Sequence, residues 1–270
     1  MKFPKSDRLY RAIVRAGQAA RLALRIPVIV TGQERLPPPR STRLGIRVSR
    51  PGEGAVMAIN HFGLVDFVFA ELAVFPRTRA HPRYLLTKKR ASSAAVRAVS
   101  DLCDHVLVDR SRGADAYAEA VEKLRRGEWV ALFPEGSTNL SFRVRERLKT
   151  GAVRMAAEAG VPIYPVSVFG AHRILTRGRG RLRLRDAVGM PVRVHVGAPL
   201  RVGTDDDVVA ASARLHGALH GGVETAMDSY PGGLPAGAWW VPAARGGGAV
   251  TPEQDAARFA DETSRYGETG

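Results

Sequence analysis

The sequence predicts an α/β fold with a mostly parallel central sheet and helices packed on both of its faces. The first observation behind this prediction is an alternation of apolar, strand-like runs with helix-like segments from residue 55 to residue 168, which is the pattern of parallel strands joined by crossover helices. The second is the composition. Of the 270 residues, 45% are apolar and 25% are charged, as in globular domains that bury a substantial core.

Each element is predicted from its apolar periodicity and its capping residues. The predicted strands are 55–59, 83–87, 105–108, 129–133 and 161–168. The predicted helices are 64–75, 90–102, 114–126 and 146–159. The last two helices end at Gly127 and Gly160, and glycine readily takes the left-handed conformation that ends a helix. Two more segments alternate with a period of two and predict half-exposed strands near a sheet edge: 181–185 (RLRLR) and 192–196 (VRVHV).

A basic amphipathic helix is predicted near the N-terminus, beginning at Ser6 or Asp7 and ending before Pro27. Its basic face consists of Arg8, Arg11, Arg15, Gln18 and Arg25, and its apolar face of Leu9, Ile13, Ala16, Ala20 and Leu24. Such a helix suits the interface of an anionic bilayer. A surface helix packed on the domain has the same pattern, so both interpretations stay open.

The chain is predicted to have three parts. Residues 1–26 form the amphipathic helix, and residues 27–230 form the α/β domain. Residues 231–270 are rich in Gly, Pro and Ala, and the run 246–248 (GGG) predicts a loose tail in which only 252–265 has the pattern of a short helix.

The net charge of the chain is +15, from 41 Lys and Arg against 26 Asp and Glu. Such a field attracts nucleic acid, anionic lipid headgroups or phosphorylated substrates. Part of it comes from a run of arginines at 173, 177, 179, 181, 183 and 185. No aromatic residue for base stacking lies within this run and no recognition motif accompanies it, so we expect no nucleic-acid partner. An anionic membrane surface or a phosphorylated donor accounts for the charge, and a solvated basic face is the alternative.

Several classes of protein are not expected. The single cysteine, Cys103, excludes an internal disulfide and a cysteine-based zinc site. The histidines other than His61 lack metal-ligand spacing, so no metal is expected. No apolar run is long enough to span a bilayer, and the first residues do not resemble a signal peptide. We therefore expect an intracellular protein that meets a membrane from one side, if at all.

Chemically useful side chains follow three of the predicted strands. His61 follows 55–59, the pair Asp109 and Arg110 follows 105–108, and the segment 134–137 (PEGS) follows 129–133. In an open α/β sheet, reacting groups collect where the strands end. Lys88 and Lys89 follow a further strand, where a solvated pair is the simpler interpretation.

His61 and Asp66 are the candidate catalytic pair. A lone histidine at a strand end is more often structural, and a lone aspartate there is more often a helix cap. Together they suggest more, because a carboxylate on one imidazole nitrogen fixes the tautomer and stabilises the imidazolium that forms when the other nitrogen takes a proton. Their spacing of five residues requires a turn at Phe62 and Gly63. The chain has no GxSxG elbow, so His61 is expected to act directly on a substrate hydroxyl.

Four blocks resemble, in order and in spacing, those of glycerolipid acyltransferases, the lysophosphatidate acyltransferase family. They are 60–66 (NHFGLVD), the family's NHx4D block; 108–110 (VDR), the end of its second block; 133–138 (FPEGST); and 161–166 (VPIYPV). The similarity runs from about residue 26 to residue 200. The single HxxxxD block is weak evidence of membership, but four blocks in order are strong evidence.

The resemblance implies an enzyme of phospholipid biosynthesis that needs no cofactor and uses acyl-CoA or acyl-carrier protein as co-substrate. His61 is implied to deprotonate a free hydroxyl of a lysophospholipid, most simply 1-acyl-sn-glycerol-3-phosphate, and Asp66 to orient His61. Arg110 is implied to bind the acceptor phosphate, which a planar guanidinium does better than an ammonium. A surface salt bridge of Arg110 is the alternative. The implied location is the cytoplasmic face of the membrane, as a peripheral protein.

The third block is implied to bind substrate. Glu135 accepts a hydrogen bond from a free acceptor hydroxyl or holds Arg110, and Gly136 allows close backbone approach. Ser137 and Thr138 donate to phosphate or cap the next segment.

The sequence departs from the family before Asp109. The family's second block usually begins with a glycine, whereas residues 101–105 read DLCDH. This difference keeps open another lysolipid or polar acceptor. Two rivals are a non-catalytic protein that binds anionic lipid or nucleic acid, with a structural His61, and a thioester hydrolase in which water reaches His61.

Overall fold

A computed structural model describes residues 7–87, 94–109, 113–179 and 184–267. The helices of these residues are α1 (Asp7–Ala23), α2 (Asp66–Thr78), α3 (Ala94–Leu102), α4 (Gly113–Arg125), α5 (Gly151–Ala159), α6 (Ala171–Ile174), α7 (Leu184–Ala187), α8 (Val208–Asp228) and α9 (Pro252–Gly267). The strands are β1 (Val28–Thr31), β2 (Thr42–Arg43), β3 (Ile46–Arg47), β4 (Ala55–Ile59), β5 (Arg83–Thr87), β6 (Val106–Val108), β7 (Trp129–Leu132), β8 (Ile163–Phe169) and β9 (Val192–Val196).

Seven strands form one sheet in the order β1-β9-β8-β4-β7-β5-β6. The five strands from β8 to β6 are parallel to one another, whereas β9 runs antiparallel to β8 and β1 runs parallel to β9. Strands β2 and β3 form a separate antiparallel pair. The predicted α/β fold with a mostly parallel sheet flanked by helices is confirmed.

The central strand β4 is buried along its whole length. Its Val56 and Ala58 belong to the core on the side of α4, α5 and α8, and its Met57 and Ile59 belong to the core on the side of α1 and α2. A strand covered on both faces needs apolar residues at every position. This is why β4 is a continuous apolar run in the sequence.

The two predicted strands of alternating residues are only partly correct. Leu184–Ala187 is a short helix rather than a strand, and residues 181–183 lie outside the described residues. Residues 192–196 do form a strand, β9, but four of its five residues are buried. The prediction that β9 is a half-exposed edge strand was wrong. Strand β1 pairs with β9 from Val28 to Thr31 and forms the edge of the sheet instead. No strand was predicted at the position of β1.

The predicted loose tail is packed against the domain at several points. Trp240 and Val241 belong to the core beside α8. Gly247 lies so close to this segment that a Cβ atom on it would be 2.0 Å from the carbonyl oxygen of Val241. The three-glycine run therefore permits close backbone packing rather than looseness. The predicted short helix of the tail is confirmed as α9.

Helix α1 is confirmed, and the side of it that packs on the domain is not the predicted apolar face. It packs on α2 and α3 through Tyr10 and Val14, which are buried. The predicted apolar face is largely in solvent: Leu9 is 37% and Ile13 is 39% exposed. Among the described residues, no helix combines the length and the apolar character needed to cross a membrane.

Candidate active site

The predicted site residues gather at the carboxyl edge of the parallel strands. Strands β4 and β7 are neighbours, so the turn after Ile59 and the loop after Leu132 lie side by side. Asp109 follows β6 at the same edge, three strands from β4, or roughly 14 Å at the usual strand spacing. Arg110, Lys88 and Lys89 lie outside the described residues.

The turn between His61 and Asp66 is closed by the Asp66 carboxylate. Its Oδ2 atom accepts hydrogen bonds from the backbone N–H groups of Phe62 and Gly63, both at 2.7 Å. The same oxygen lies 3.6 Å from Nδ1 of His61, within ion-pair distance but longer than a hydrogen bond. Burial raises the pKa of Asp66, and His61 and the two backbone N–H groups oppose this rise. The predicted fold-back of Asp66 onto His61 is thus present.

Gly63 is required by packing rather than by its backbone conformation, because its φ is not in the left-handed region. A Cβ atom at this position would lie 2.8 Å from the Cα atom of His172. The turn is held from the same side by Thr176, whose hydroxyl donates to the carbonyl oxygen of Phe62 at 2.6 Å. The site therefore depends on the segment after β8.

The imidazole ring of His61 is held on three sides. It stacks on Phe133 with the ring centroids 4.0 Å apart, its Nδ1 atom faces Asp66, and its Nε2 atom lies 3.3 Å from Oγ1 of Thr138. The residue is 7% exposed. Nε2 is consequently the ring nitrogen that lies beside a hydroxyl group.

Glu135 links the turn after β4 to the loop after β7. Its Oε1 atom accepts from the backbone N–H of His61 at 2.8 Å. Its Oε2 atom accepts from Nδ2 of Asn139 at 2.8 Å and from the backbone N–H of Arg145 at 3.2 Å. Burial raises the pKa of Glu135 to about 7, against the opposing effect of these hydrogen bonds. The contacts of this carboxylate are with the protein, and its contact with a substrate stays a prediction.

The rest of the third block adopts a tight loop. Gly136 has a φ of +76°, the left-handed conformation that glycine takes most easily. Ser137 accepts a hydrogen bond at Oγ from Nη1 of Arg145 at 2.9 Å. Thr138 is fully buried against His61. The structure therefore brings the loop that contains Glu135, Gly136, Ser137 and Thr138 together with His61 and Asp66.

The departure in the second block is accommodated by the backbone. Asp104 has a φ of +56°, the left-handed conformation that glycine takes most easily. Its carboxylate lies 2.7 Å from Nζ of Lys123. The chain before Asp109 thus has a turn of the kind that a glycine permits, although the residue is an aspartate.

Several residues of the site have no assigned role in the sequence analysis. Asn60 joins β4 to β8, since its Nδ2 donates to the carbonyl oxygen of Val168 at 2.9 Å and its Oδ1 accepts from the N–H of Val168 at 2.6 Å. The N–H of Asn139 donates to the carbonyl oxygen of His61 at 2.7 Å. Asn60 lies inside a motif block and Asn139 lies directly after one, and this position is the sequence signal that could have identified them. Arg145 and Asp255 carry no such signal.

Among the described residues, no group of three or more His, Cys, Asp and Glu side chains is arranged to hold a metal ion.

The fold and this site define an α/β protein with a histidine–aspartate pair at the carboxyl edge of its sheet. The chain belongs to the acyltransferase family, because the model of the family described as Acyltransferase matches residues 27–169, slightly more than half of the chain. This range contains all four sequence blocks.

Curated relatives of this chain are 1-acyl-sn-glycerol-3-phosphate acyltransferases. It is 31% identical over 108 residues, 40% of this chain and 29% of the relative, to the chloroplastic enzyme BAT2 of Brassica napus. It is 26% identical over 124 residues to the probable enzyme of Mycoplasma pneumoniae, covering 45% of this chain and 46% of that one. It is 25% identical over 175 residues to the enzyme of Borreliella burgdorferi, covering 63% and 60% of the two chains. The chain thus spans less than half the length of the first two relatives.

A solved structure shares the fold. The 1-acyl-sn-glycerophosphate (LPA) acyltransferase PlsC of Thermotoga maritima superimposes with a TM-score of 0.60 at 21% identity, over 80% of this chain and 78% of that one. At this level of identity the likeness is one of fold.

Proposed function

We propose that the protein transfers a fatty acyl group from acyl-CoA or acyl-carrier protein to the free hydroxyl of a lysophospholipid. The acceptor favoured by the relatives is 1-acyl-sn-glycerol-3-phosphate, which gives phosphatidic acid. The observation that carries the proposal is the position of His61, with Nδ1 at 3.6 Å from the Asp66 carboxylate and Nε2 facing the Thr138 hydroxyl. One nitrogen is held beside a carboxylate, and the other is directed toward a hydroxyl-bearing loop.

In the proposed reaction, Nε2 of His61 takes the proton of the acceptor hydroxyl. The acceptor oxygen forms a bond to the thioester carbonyl carbon, the carbon–sulfur bond breaks, and the imidazolium returns its proton to the leaving thiolate. The Asp66 carboxylate stabilises the imidazolium that exists between these steps. Because a thioester is already activated, no acyl-enzyme intermediate is needed.

The acceptor phosphate is proposed to bind Arg110. This assignment is supported by Asp109, which follows β6 at the same edge of the sheet as His61. Asp109 and His61 are separated by roughly three strand spacings. The length of an arginine side chain, added to the distance between the acceptor phosphate and its reacting hydroxyl, is of the same order. Gly136 and Ser137 are proposed to contact the acceptor from the neighbouring loop. Glu135 is proposed to hold the loop rather than to bind phosphate, which its charge would repel.

The protein is proposed to work as a peripheral protein on the cytoplasmic face of an anionic membrane. Large apolar side chains are exposed on the adjoining helices α1, α2 and α3: Leu9, Ile13, Leu22, Phe67, Val96 and Val99. Arg8 and Arg15 are also exposed on α1. Apolar side chains beside basic ones on one helix are typical of an interfacial element.

The proposed function is tested with purified full-length protein, labelled oleoyl-CoA and a panel of lysolipids. We expect labelled diacyl product with 1-acyl-sn-glycerol-3-phosphate, and we expect His61→Ala to abolish it. His220→Ala is the matched control, since that histidine lies on α8 and pairs with Glu224. If product forms only with lysolipids that carry a headgroup, the acceptor is one of those lysolipids instead. Free fatty acid in place of lipid product would indicate a hydrolase, and lipid binding without either product would indicate a non-catalytic protein.

A further inference from the structure

The C-terminal helix α9 begins at a position that its own sequence fixes. The N–H of Thr251 donates to Oε1 of Gln254 at 2.9 Å, and the N–H of Gln254 donates to Oγ1 of Thr251 at 3.3 Å. This reciprocal pair is a capping box, and Pro252 occupies the first helical position, where its lack of an N–H costs nothing. The helix start is therefore well defined, and it places Asp255 in the first turn.

Asp255 is a buried carboxylate, 2% exposed, with both oxygens bonded to the protein. Its Oδ2 accepts from Nε of Arg145 at 3.2 Å and from Nη2 at 2.6 Å. Its Oδ1 accepts from the N–H of Leu140 at 3.0 Å and from Nη2 of Arg258 at 2.8 Å. Burial alone raises the pKa of Asp255, but these bonds more than offset it and hold the pKa below its usual value. The group is an ion at neutral pH.

The two arginines connect Asp255 to the loop beside His61. Arg145 donates from Nη1 to Oγ of Ser137 at 2.9 Å and to the carbonyl oxygen of Glu135 at 3.3 Å. Arg258 donates from Nη2 to the carbonyl oxygen of Thr138 at 2.7 Å. The guanidinium of Arg145 is in turn covered by the ring of Phe259, 4.3 Å from its centroid. The loop is thus bound on its outer side by α9.

We propose that Asp255 is a positioning residue, which orients Arg145 and Arg258 so that they fix the Ser137 side chain and the backbone of Glu135 and Thr138, and hence the Thr138 hydroxyl against Nε2 of His61. Asp255 lies outside the family match at 27–169, so this support is supplied by the C-terminal segment of the chain. The inference rests on the proposed function, in which His61 is the base. A misplacement of the groups around a base by about an ångström is enough to lower turnover a hundredfold.

The test compares Asp255→Asn with wild type in the full-length protein. Asparagine keeps the size of the side chain but replaces one accepting oxygen with a donor, which cannot bind an arginine. We expect kcat to fall about ten- to a hundredfold while the KM for the acyl donor changes less than about twofold. The matched control is Asp206→Asn, which changes one partner of an exposed ion pair with Arg214 of α8. This substitution should leave both kcat and KM unchanged.

A second readout does not depend on turnover. The ring Cε1–H resonance of His61, observed by NMR at one fixed pH, should change its chemical shift in Asp255→Asn and not in Asp206→Asn, because the Thr138 hydroxyl lies 3.3 Å from the ring. An inactive wild-type protein would refute the proposed function, and the NMR comparison would then decide the positioning role alone. If Asp255→Asn does not fold, Arg258→Ala decides, since that side chain is 26% exposed and its loss should lower kcat in the same direction. Wild-type kcat with an unchanged His61 resonance would overturn the inference.

Discussion

The Oγ1 atom of Thr138 lies 3.3 Å from the Nε2 atom of His61, although 77 residues separate them in the sequence. This contact joins the turn after β4 to the loop after β7. It is made possible by the parallel pairing of the two strands, which brings their carboxyl ends together. The backbone N–H of His61 also donates a hydrogen bond to Oε1 of Glu135 at 2.8 Å, which is a second contact between the same two segments. The proposed catalytic unit is therefore one assembly of two sequence blocks.

Replacing Gly63 with alanine is expected to destabilise the protein. The new Cβ atom would meet the His172 backbone at 2.8 Å, and overpacking of this kind costs about 1–3 kcal/mol of the free energy of unfolding. Urea unfolding measures this change. Gly217→Ala is the control, because that glycine lies in α8 with no heavy atom near its missing Cβ, and alanine there should stabilise by roughly 0.5–1 kcal/mol. Equal stability of the two variants would refute the packing role of Gly63.

Glu135 is expected to make the protein less stable as the pH rises toward neutrality. Its pKa in the folded state is about 7, above its ordinary value, so the folded state binds the proton more tightly than the unfolded state. The stabilisation is fully present below the ordinary pKa and is lost as pH rises through about 7, by at most about 3 kcal/mol. Unfolding free energies at several pH values between about 5 and 8 measure it. The fall should be steeper in wild type than in Glu135→Gln, and identical slopes would contradict the assignment.

Replacing Arg110 with alanine is expected to raise the KM for the lysophospholipid acceptor more than it changes kcat. A charge-assisted contact to phosphate contributes about 1.5–3 kcal/mol, which corresponds to a rise of roughly ten- to a hundredfold. Arg126→Ala is the control, since Arg126 follows α4 directly and forms an exposed ion pair with Glu122 of that helix. Steady-state kinetics with varied acceptor provide the measurement. An unchanged acceptor KM together with a loss of folded protein would instead assign Arg110 to a structural salt bridge.

The membrane role of α1 is tested better by substitution than by deletion. Removing residues 1–26 would also remove Tyr10 and Val14, which are buried in the core, so a loss of binding would be ambiguous. Ile13→Asp changes only an exposed position, and we expect it to reduce sedimentation with anionic liposomes. Val209→Asp on α8, where valine is 73% exposed, is the control. Equal sedimentation of both variants and the wild type would refute a membrane role for α1.

The sheet was predictable because its central strands are buried on both faces and therefore appear as apolar runs. Strand β1 lies before the alternation of strands and helices that begins at residue 55, so no pattern of neighbouring elements marked it, and the edge beside β9 was missed. The tail was misjudged for a different reason: Gly247 is needed for close contact with Val241, and composition does not distinguish a packed glycine from a flexible one.

The site was predictable to the extent that it lies in sequence blocks. His61, Asp66 and Thr138 belong to such blocks, and the structure brings them together. The partners of the loop were not predictable, because Arg145 and Asp255 meet across 110 residues and neither position has a local pattern that marks it. The need for Gly63 was predicted from a turn, whereas it arises from the approach of His172, a tertiary contact.

The central claim is that His61 and Asp66 act as one unit on the acceptor hydroxyl, and a double-mutant cycle tests it most directly. The measurement is kcat/KM for acyl transfer by wild type, His61→Ala, Asp66→Asn and the double variant. We predict that each single change lowers kcat/KM by about a hundredfold or more and that the double variant is no slower than His61→Ala, since residues of one unit are non-additive. Losses that multiply in the double variant, or transfer that persists in His61→Ala, would contradict the account.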